Sequence, residues 1–286
     1  MRKIAIAGFK GGIGKTTTCV NLGAALALKG RQVLLIDTDI QANLSLALGI
    51  RDYKRSLTDV LLQKAKAEEC ILPARKNLNL LPSSLSLYKA QQQMVMELGH
   101  EGILCDLFAG LAGYDYQLLD CGPSISLLTI NAMVYAQEVF VPVSMEILAL
   151  AGARQFMRYL RDVSRVLNEG ASIRLIIPTF YDPRRKISEM VLRTLIKDFG
   201  SLVTHPIRID TKLSEAPGAG ETIFEYMPGR RAATDYARLS ELVERMPPVA
   251  PGNHSQAGAG VEGGKGRWRE RSPSPTRKVA WAKQQP

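Results

Sequence analysis

Phe9-Lys10-Gly11-Gly12-Ile13-Gly14-Lys15-Thr16-Thr17 is the stretch that decides how this chain is read. It follows a short apolar run, Ile4 to Ala7, and opens into Thr18 to Leu28, whose apolar residues recur at helical spacing. The context is strand, glycine loop, helix. Glycines at 11, 12 and 14, with Ile13 between them, let backbone N–H groups turn inward around a phosphate chain. Thr17 opens a helix whose first N–H groups and dipole already favour an anion. Lys15 then sets a cation on the β- and γ-phosphates, and the Thr16 hydroxyl is the natural Mg²⁺ ligand.

Working outward, Gln32 to Ile36 reads as a buried strand ending in Asp37-Thr38-Asp39-Ile40-Gln41-Ala42-Asn43. Two carboxylates at i and i+2, where a parallel strand meets its loop, project from the sheet's carboxyl edge, where open α/β sheets bind ligands. Tyr114 to Asp120 is a second apolar strand ending in aspartate. An acid so placed downstream of a glycine loop faces the water shell of a phosphate-bound metal.

These motifs resemble one family. The Lys-Gly-Gly-x-Gly-Lys-Thr form, with Phe9 where the general P-loop has glycine and Lys10 as a second lysine, resembles the deviant Walker A motif of the ParA/MinD ATPases. Asp37 to Asn43 is similar to the family's Asp-x-Asp-Pro-Gln-Gly-Asn, with Ile40 in place of proline and Ala42 in place of glycine. Leu119-Asp120-Cys121-Gly122-Pro123-Ser124 also resembles the ParA partition ATPases. The resemblance covers residues 2–246 and implies an ATP hydrolase using ATP and Mg²⁺, slow and stimulated by a ParB-like partner or cargo adaptor. It implies that two chains sandwich two ATPs and that Lys10 reaches the partner's nucleotide. Lys10, Lys15 and Asp39 are then the catalytic set, with Asp39 orienting water; Thr16, Asp37 and Asp120 serve the metal, Asp37 through water. Arg208, by its backbone, and Asp210 fall where the family contacts adenine. Such an ATPase binds DNA without sequence preference in its ATP state and moves chromosome, plasmid or other cargo; the alternative is a MinD-like positioning ATPase at a membrane or protein assembly.

The DNA-facing residues are less direct. Arg184-Arg185-Lys186 stand at the mouth of a helix, whose dipole favours acids; they read as a solvated turn or, since the resemblance implies that the arginine matching Arg184 helps hold non-specific DNA, as a DNA-binding cluster. The family's DNA-contacting arginine near the last strand falls on Ile209, with Arg208 or Lys212 as possible substitutes.

The remaining elements alternate. Helices are expected over 56–70, 85–98, 103–111, 147–167 and 231–246, and strands over 78–82, 138–143, 172–177 and 203–209. That pattern predicts an α/β, doubly wound, mainly parallel sheet of the P-loop NTPase kind with helices on both faces. Residues 1–246 form the expected ATPase domain. Residues 247–286 shift to Gly, Pro, Ser and Gln with seven basic and two acidic residues, and are expected to be a disordered tail. Trp268 and Trp281 sit there beside cations, which suits either stacking on nucleic-acid bases or a solubilising, partner-binding tail.

Composition sets the outer limits. The chain has 286 residues, 46% hydrophobic, with a net charge of +10, half of it in the tail; this balance suits a polyanion partner. No apolar run approaches the ~20 residues of a membrane helix. Met1 leads straight into the first strand, leaving no room for a secretory leader, so the cytoplasm, and the nucleoid in the ATP state, is the expected location. Cys19, Cys70, Cys105 and Cys121 form no Cys-x-x-Cys pair, and Cys19 and Cys121, in predicted core elements, read as buried packing thiols. Met94 and Met96 read as packing residues too.

Overall fold

The computed structural model describes residues 1–95, 101–167 and 171–249, with side chains excluded at 164–167. Met96, Trp268, Trp281 and nearly all of the 247–286 segment lie outside them. Seven strands form one sheet: β1 (Arg2–Ile6), β2 (Val33–Asp37), β3 (Leu72–Arg75), β4 (Leu78–Leu81), β5 (Tyr116–Asp120), β6 (Glu138–Ser144) and β7 (Ser172–Thr179). Their spatial order is β3-β4-β2-β5-β1-β6-β7, and every pairing is parallel except β3 on β4. The mainly parallel, two-faced sheet expected from the alternation is therefore present.

Strand period decides which side chain meets which layer. Ile4 and Ile6 of β1, Val33 and Leu35 of β2, Leu118 of β5 and Phe140 of β6 face one core. That core is closed by α1 (Lys15–Leu28) and by residues of a C-terminal helix, Tyr236, Leu239 and Val243. Ala5, Leu34, Ile36, Leu119, Val139 and Val141 face the other. Both faces are dry, so these strands are continuously apolar, as parallel strands covered on both sides are. Gly23 fits α1 tightly to the sheet: a Cβ there would lie 2.7 Å from Leu35 Cδ2.

The other helices are α2 (Asn43–Ala47), α3 (Leu57–Leu61), α4 (Leu87–Met94), α5 (Ile103–Leu107), α6 (Leu127–Ala136), α7 (Ile147–Leu167), α8 (Lys186–Phe199), α9 (Thr211–Ala219), α10 (Ile223–Tyr226) and α11 (Arg231–Arg245). Three expectations need correcting. The helix expected over 56–70 begins with the anticipated cap, Ser56 and Asp59 forming a reciprocal capping box, but stops after Leu61. Gln63 turns left-handed (φ 54°), and the apolar spacing lapses at Gln63-Lys64; a short 3₁₀ turn, Ala67–Cys70, follows. The helix expected over 103–111 likewise ends at Leu107. The strand expected over 203–209 is only two isolated bridges beside β7, Ile176 with Val203 and Tyr181 with Arg208. Pro178 and Pro206 carry no N–H, so neither segment can complete the ladder. Strand β3 was not anticipated; it is a partly exposed edge strand, where Pro73 costs no interior hydrogen bond.

Candidate nucleotide site

The loop between β1 and α1 crosses the carboxyl edge of the sheet beside the central strand. Gly12 (φ 71°) and Gly14 (φ 89°) are left-handed, a conformation that strains L side chains. Gly14 is the residue preceding α1 and makes no side-chain cap, so the first N–H groups of the helix stay available to an anion. Thr179, at the end of β7, ties the loop down by donating from Oγ1 to the Ile13 carbonyl (2.9 Å).

Lys15 is 7% exposed and donates from Nζ to the Lys10 carbonyl (3.0 Å). Burial lowers its pKa, while the neighbouring Asp120 and Asp39 carboxylates pull the other way. A phosphate group would supply the counter-charge this ammonium lacks. The Thr16 hydroxyl donates to Asp120 Oδ2 (2.6 Å), whereas Asp120 Oδ1 is buried without a partner. Burial pushes Asp120 up to about 7, against the Thr16 hydrogen bond and the Lys15 charge. An orphaned carboxylate oxygen beside a threonine hydroxyl fits a hydrated Mg²⁺, which keeps most of its waters and takes few protein ligands. No group of three or more His, Cys, Asp or Glu that could hold a metal directly occurs among the described residues.

Asp37 and Asp120 are register partners at the adjacent ends of β2 and β5. Asp37 is fully buried and accepts from the backbone N–H of Asp39 (3.0 Å) and Leu44 (3.1 Å), bracing the loop between them. Burial, then the neighbouring Asp120 charge, raises its pKa well above the carboxylate range, opposed by those two N–H groups. Thr38 donates to the Asp120 carbonyl through its hydroxyl (2.7 Å) and its N–H (3.0 Å), lacing the two acid-bearing strand ends together. Asp39 is half-buried beside Gly122, where a Cβ would lie 3.5 Å from its carboxyl carbon, and accepts from Gln41 N–H (3.0 Å). The loop therefore brings Lys15, Thr16, Asp37, Asp39 and Asp120 to one place.

Lys10 points elsewhere. Its Nζ meets Glu146 Oε2 (2.6 Å) just before α7, with side chains 39% and 60% exposed. Exposed pairs of this kind are worth about 0–1 kcal/mol, so the ammonium is held only weakly.

Arg208 and Asp210 are occupied. Asp235 accepts from Arg208 through Nε (2.9 Å), Nη2 (2.7 Å) and the backbone N–H (3.0 Å). Asp210 caps α9 by accepting from Lys212 N–H (3.1 Å) and pairs with Arg230 (3.0 Å), which holds its carboxyl low against the cost of burial. Beside Thr16 and Thr17 opens a 220 Å³ cavity between α1, α2 and α9, with Leu213 and Pro217 in its wall.

Among the basic candidates, Arg184 forks onto Asp182 (3.0 and 3.0 Å), holding that carboxyl down to about 2, and Lys212 pairs with Glu215 (2.7 Å). Arg185 and Lys186 meet no carboxylate among the described residues. Ile209 donates its N–H to the Tyr181 carbonyl (2.9 Å), so Tyr181 lies beside the 207–209 segment. Sequence reasoning passed over Glu146, Thr38 and Thr179. Their chemistry is visible only once distant strands are paired.

The fold and these residues define a P-loop nucleotide-binding protein. A family model described as an AAA domain matches residues 1–173. The sporulation initiation inhibitor protein Soj of Bacillus subtilis is 38% identical over 245 residues, covering 84% of this chain and 97% of that protein. The chromosome partitioning protein ParA of Caulobacter vibrioides is 36% identical over 253 residues, covering 86% and 95%. The solved structure of cobyrinic acid a,c-diamide synthase from Mycobacterium smegmatis, with bound ATP analog and magnesium, has a TM-score of 0.74 to this chain at 31% identity, covering 86% of this chain and 95% of that one. The chain belongs to the ParA/MinD superfamily of P-loop ATPases, close to the chromosomal ParA proteins. No helix among the described residues is long and apolar enough to cross a membrane.

Proposed function

We propose that this chain is a partition ATPase that dimerises on ATP, binds DNA without sequence preference as a dimer, and lets go after slow hydrolysis stimulated by a ParB-like partner. The observation that carries the reading is the second lysine of the phosphate loop. Lys10 lies on an exposed, weak ion pair, outside the ring of groups that grip phosphate in its own chain.

Each side chain then has a task. Backbone N–H groups of residues 11–17 and Lys15 hold the β- and γ-phosphates. Thr16, Asp37 and Asp120 would hold Mg²⁺, which would supply charge neutralisation at the phosphates. Asp39 orients the attacking water, and Lys10 leaves Glu146 for the partner's phosphates. Loss of the γ-phosphate removes the charge that held it there. Arg208 and Asp210 border the nucleoside through backbone atoms, since their side chains are spent on Asp235 and Arg230. Arg185 and Lys186 meet DNA first, with Arg184 and Lys212 exchanging their acids for phosphates. Residues 1–246 act as the ATPase and 247–286 as a basic tail, in the cytoplasm and on the nucleoid in the ATP state.

Size-exclusion chromatography with Mg-ATP tests this directly. The wild-type chain should elute as a dimer with ATP and a monomer with ADP. Lys10→Ala should bind nucleotide yet stay monomeric. A Lys10→Ala protein that dimerises normally overturns the crossing-lysine assignment. ATP-dependent co-sedimentation with liposomes, without DNA binding, would instead favour MinD-like action.

A further inference from the structure

Three strands away from the phosphate loop, the carboxyl end of β4 opens on a second cavity, of about 420 Å³, that the ATPase reading leaves unused. Three separate segments build it: the loop 53–56 before α3, the turn at Lys64 after it, and residues 84–89 leading into α4. Each brings at least one cation: Lys54 and Arg55, Lys64, and Lys89. Arg55 is already paired with Glu69. Lys54, Lys64 and Lys89 meet no carboxylate among the described residues. The cavity's one acid, Asp59, is spent inside the fold, accepting from Ser56 N–H (2.9 Å) in the capping box of α3.

Between the cations lie hydroxyls. Ser84 Oγ is within 2.8 Å of Thr58 Oγ1 and accepts from Ser56 Oγ (3.3 Å), a relay whose protons can turn toward an acceptor in the cavity. Ser86 precedes α4 without capping it, so its hydroxyl has no task in the helix. Apolar lining is limited to Tyr53 and Leu62, and the Tyr53 hydroxyl is itself bonded to the Ser83 carbonyl (2.7 Å).

We propose that this cavity is a binding site for a small phosphorylated ligand. Three ammonium groups without a carboxylate partner among the described residues, one of them loosely over the Tyr88 ring, match the charge of about −1.5 to −2 and the three acceptor oxygens that a phosphoryl group presents. A carboxylate offers one charge and two oxygens. An acidic peptide would also need an apolar groove for its intervening residues, and Tyr53 and Leu62 do not make one. Its volume lies within the ~300–1,000 Å³ typical of small-ligand sites. The proposal does not depend on the partition reading, because it uses none of the residues of the nucleotide site.

Isothermal titration of the full chain, with the phosphate loop first saturated by Mg-ADP, provides the test. The probes are inorganic phosphate and fructose 1,6-bisphosphate. One saturable equivalent of the bisphosphate should bind, and the Lys54→Ala/Lys89→Ala double variant should bind it at least ~10-fold more weakly, in line with the loss of two charge-assisted contacts. A charge-matched control, Lys76→Ala/Lys197→Ala, should change affinity less than ~2-fold, since surface charges beyond a Debye length are screened. All four lysines are exposed, so both variants should melt with the wild type. The proposal fails if neither probe binds, or if the control loses as much as the double variant. It also fails if a polyglutamate peptide or duplex DNA binds more tightly than the bisphosphate and is lost with the same two lysines.

Discussion

The two walls of the nucleotide site obey different rules. On the phosphate wall, residues 11–17, each backbone position that turns left-handed is a glycine, and no side chain caps the helix. On the acid wall, residues 37–44, the left-handed position before α2 is Ala42 (φ 51°, ψ 37°), and Ile40 is exposed. One wall is relaxed in the shape that binding needs. The other is held in a costly conformation by what surrounds it: Asp37 bonded to Asp39 N–H and Leu44 N–H, and Ala42 N–H donating to the Asp39 carbonyl (3.1 Å). On the proposed function, gripping phosphate asks only for a fixed cradle, and positioning water falls to the wall that carries the strain.

The sharpest division between the walls comes from removing one charge on each. Lys15→Ala should weaken ATP binding by about 100-fold, on the order of 3 kcal/mol, because it deletes the buried cation of the phosphate loop. Equilibrium titration with a fluorescent nucleotide reads this, and a change below fivefold would mean that the cradle's N–H groups carry the affinity alone.

Asp39→Ala should do the opposite. Nucleotide affinity and the ATP dimer should survive, while turnover falls ~100-fold, within the range for loss of a group that orients or accepts from the attacking water. The dimer should then persist on DNA long after the wild type has left it. Full turnover in this variant would remove Asp39 from the reaction and shift the water-handling role to another group on the acid wall.

Much of this is legible in the sequence alone. Gly-Lys-Thr after an apolar run, Asp37 and Asp120 at strand ends, and helix α7 over 147–167 were readable because each depends on local spacing or on one backbone requirement. What was not legible depends on long-range pairing. The 203–209 segment has a strand's composition, yet Pro178 in the neighbouring strand and Pro206 within it prevent a ladder. Asp210 looked free for a ligand until α9 and Arg230 claimed it. The cluster at 184–186 looked uniformly basic, but Asp182 engages one of the three. Spacing along the chain shows what a residue offers, and only the fold shows what has already taken it.

The smallest effect tests the comparison itself, by exchanging the residue types of the two left-handed positions. Gly14→Ala adds a Cβ at φ 89°, where the left-handed conformation costs an L residue about 1–2 kcal/mol. The new atom would meet Thr179 Cγ2 at 3.5 Å, an ordinary contact, so the loss comes from the backbone. Ala42→Gly removes the same kind of strain but returns freedom to the unfolded chain, so the net gain should be about 0.5–1 kcal/mol. Thermal or urea unfolding should therefore move in opposite directions for the two substitutions. If Ala42→Gly fails to stabilise, the turn at 39–42 is not strained in solution, and the acid wall is as relaxed as the phosphate wall. If it stabilises the fold and also slows hydrolysis, the strain at Ala42 serves to hold Asp39 in place, because a glycine there lets the turn wander around the same hydrogen bonds.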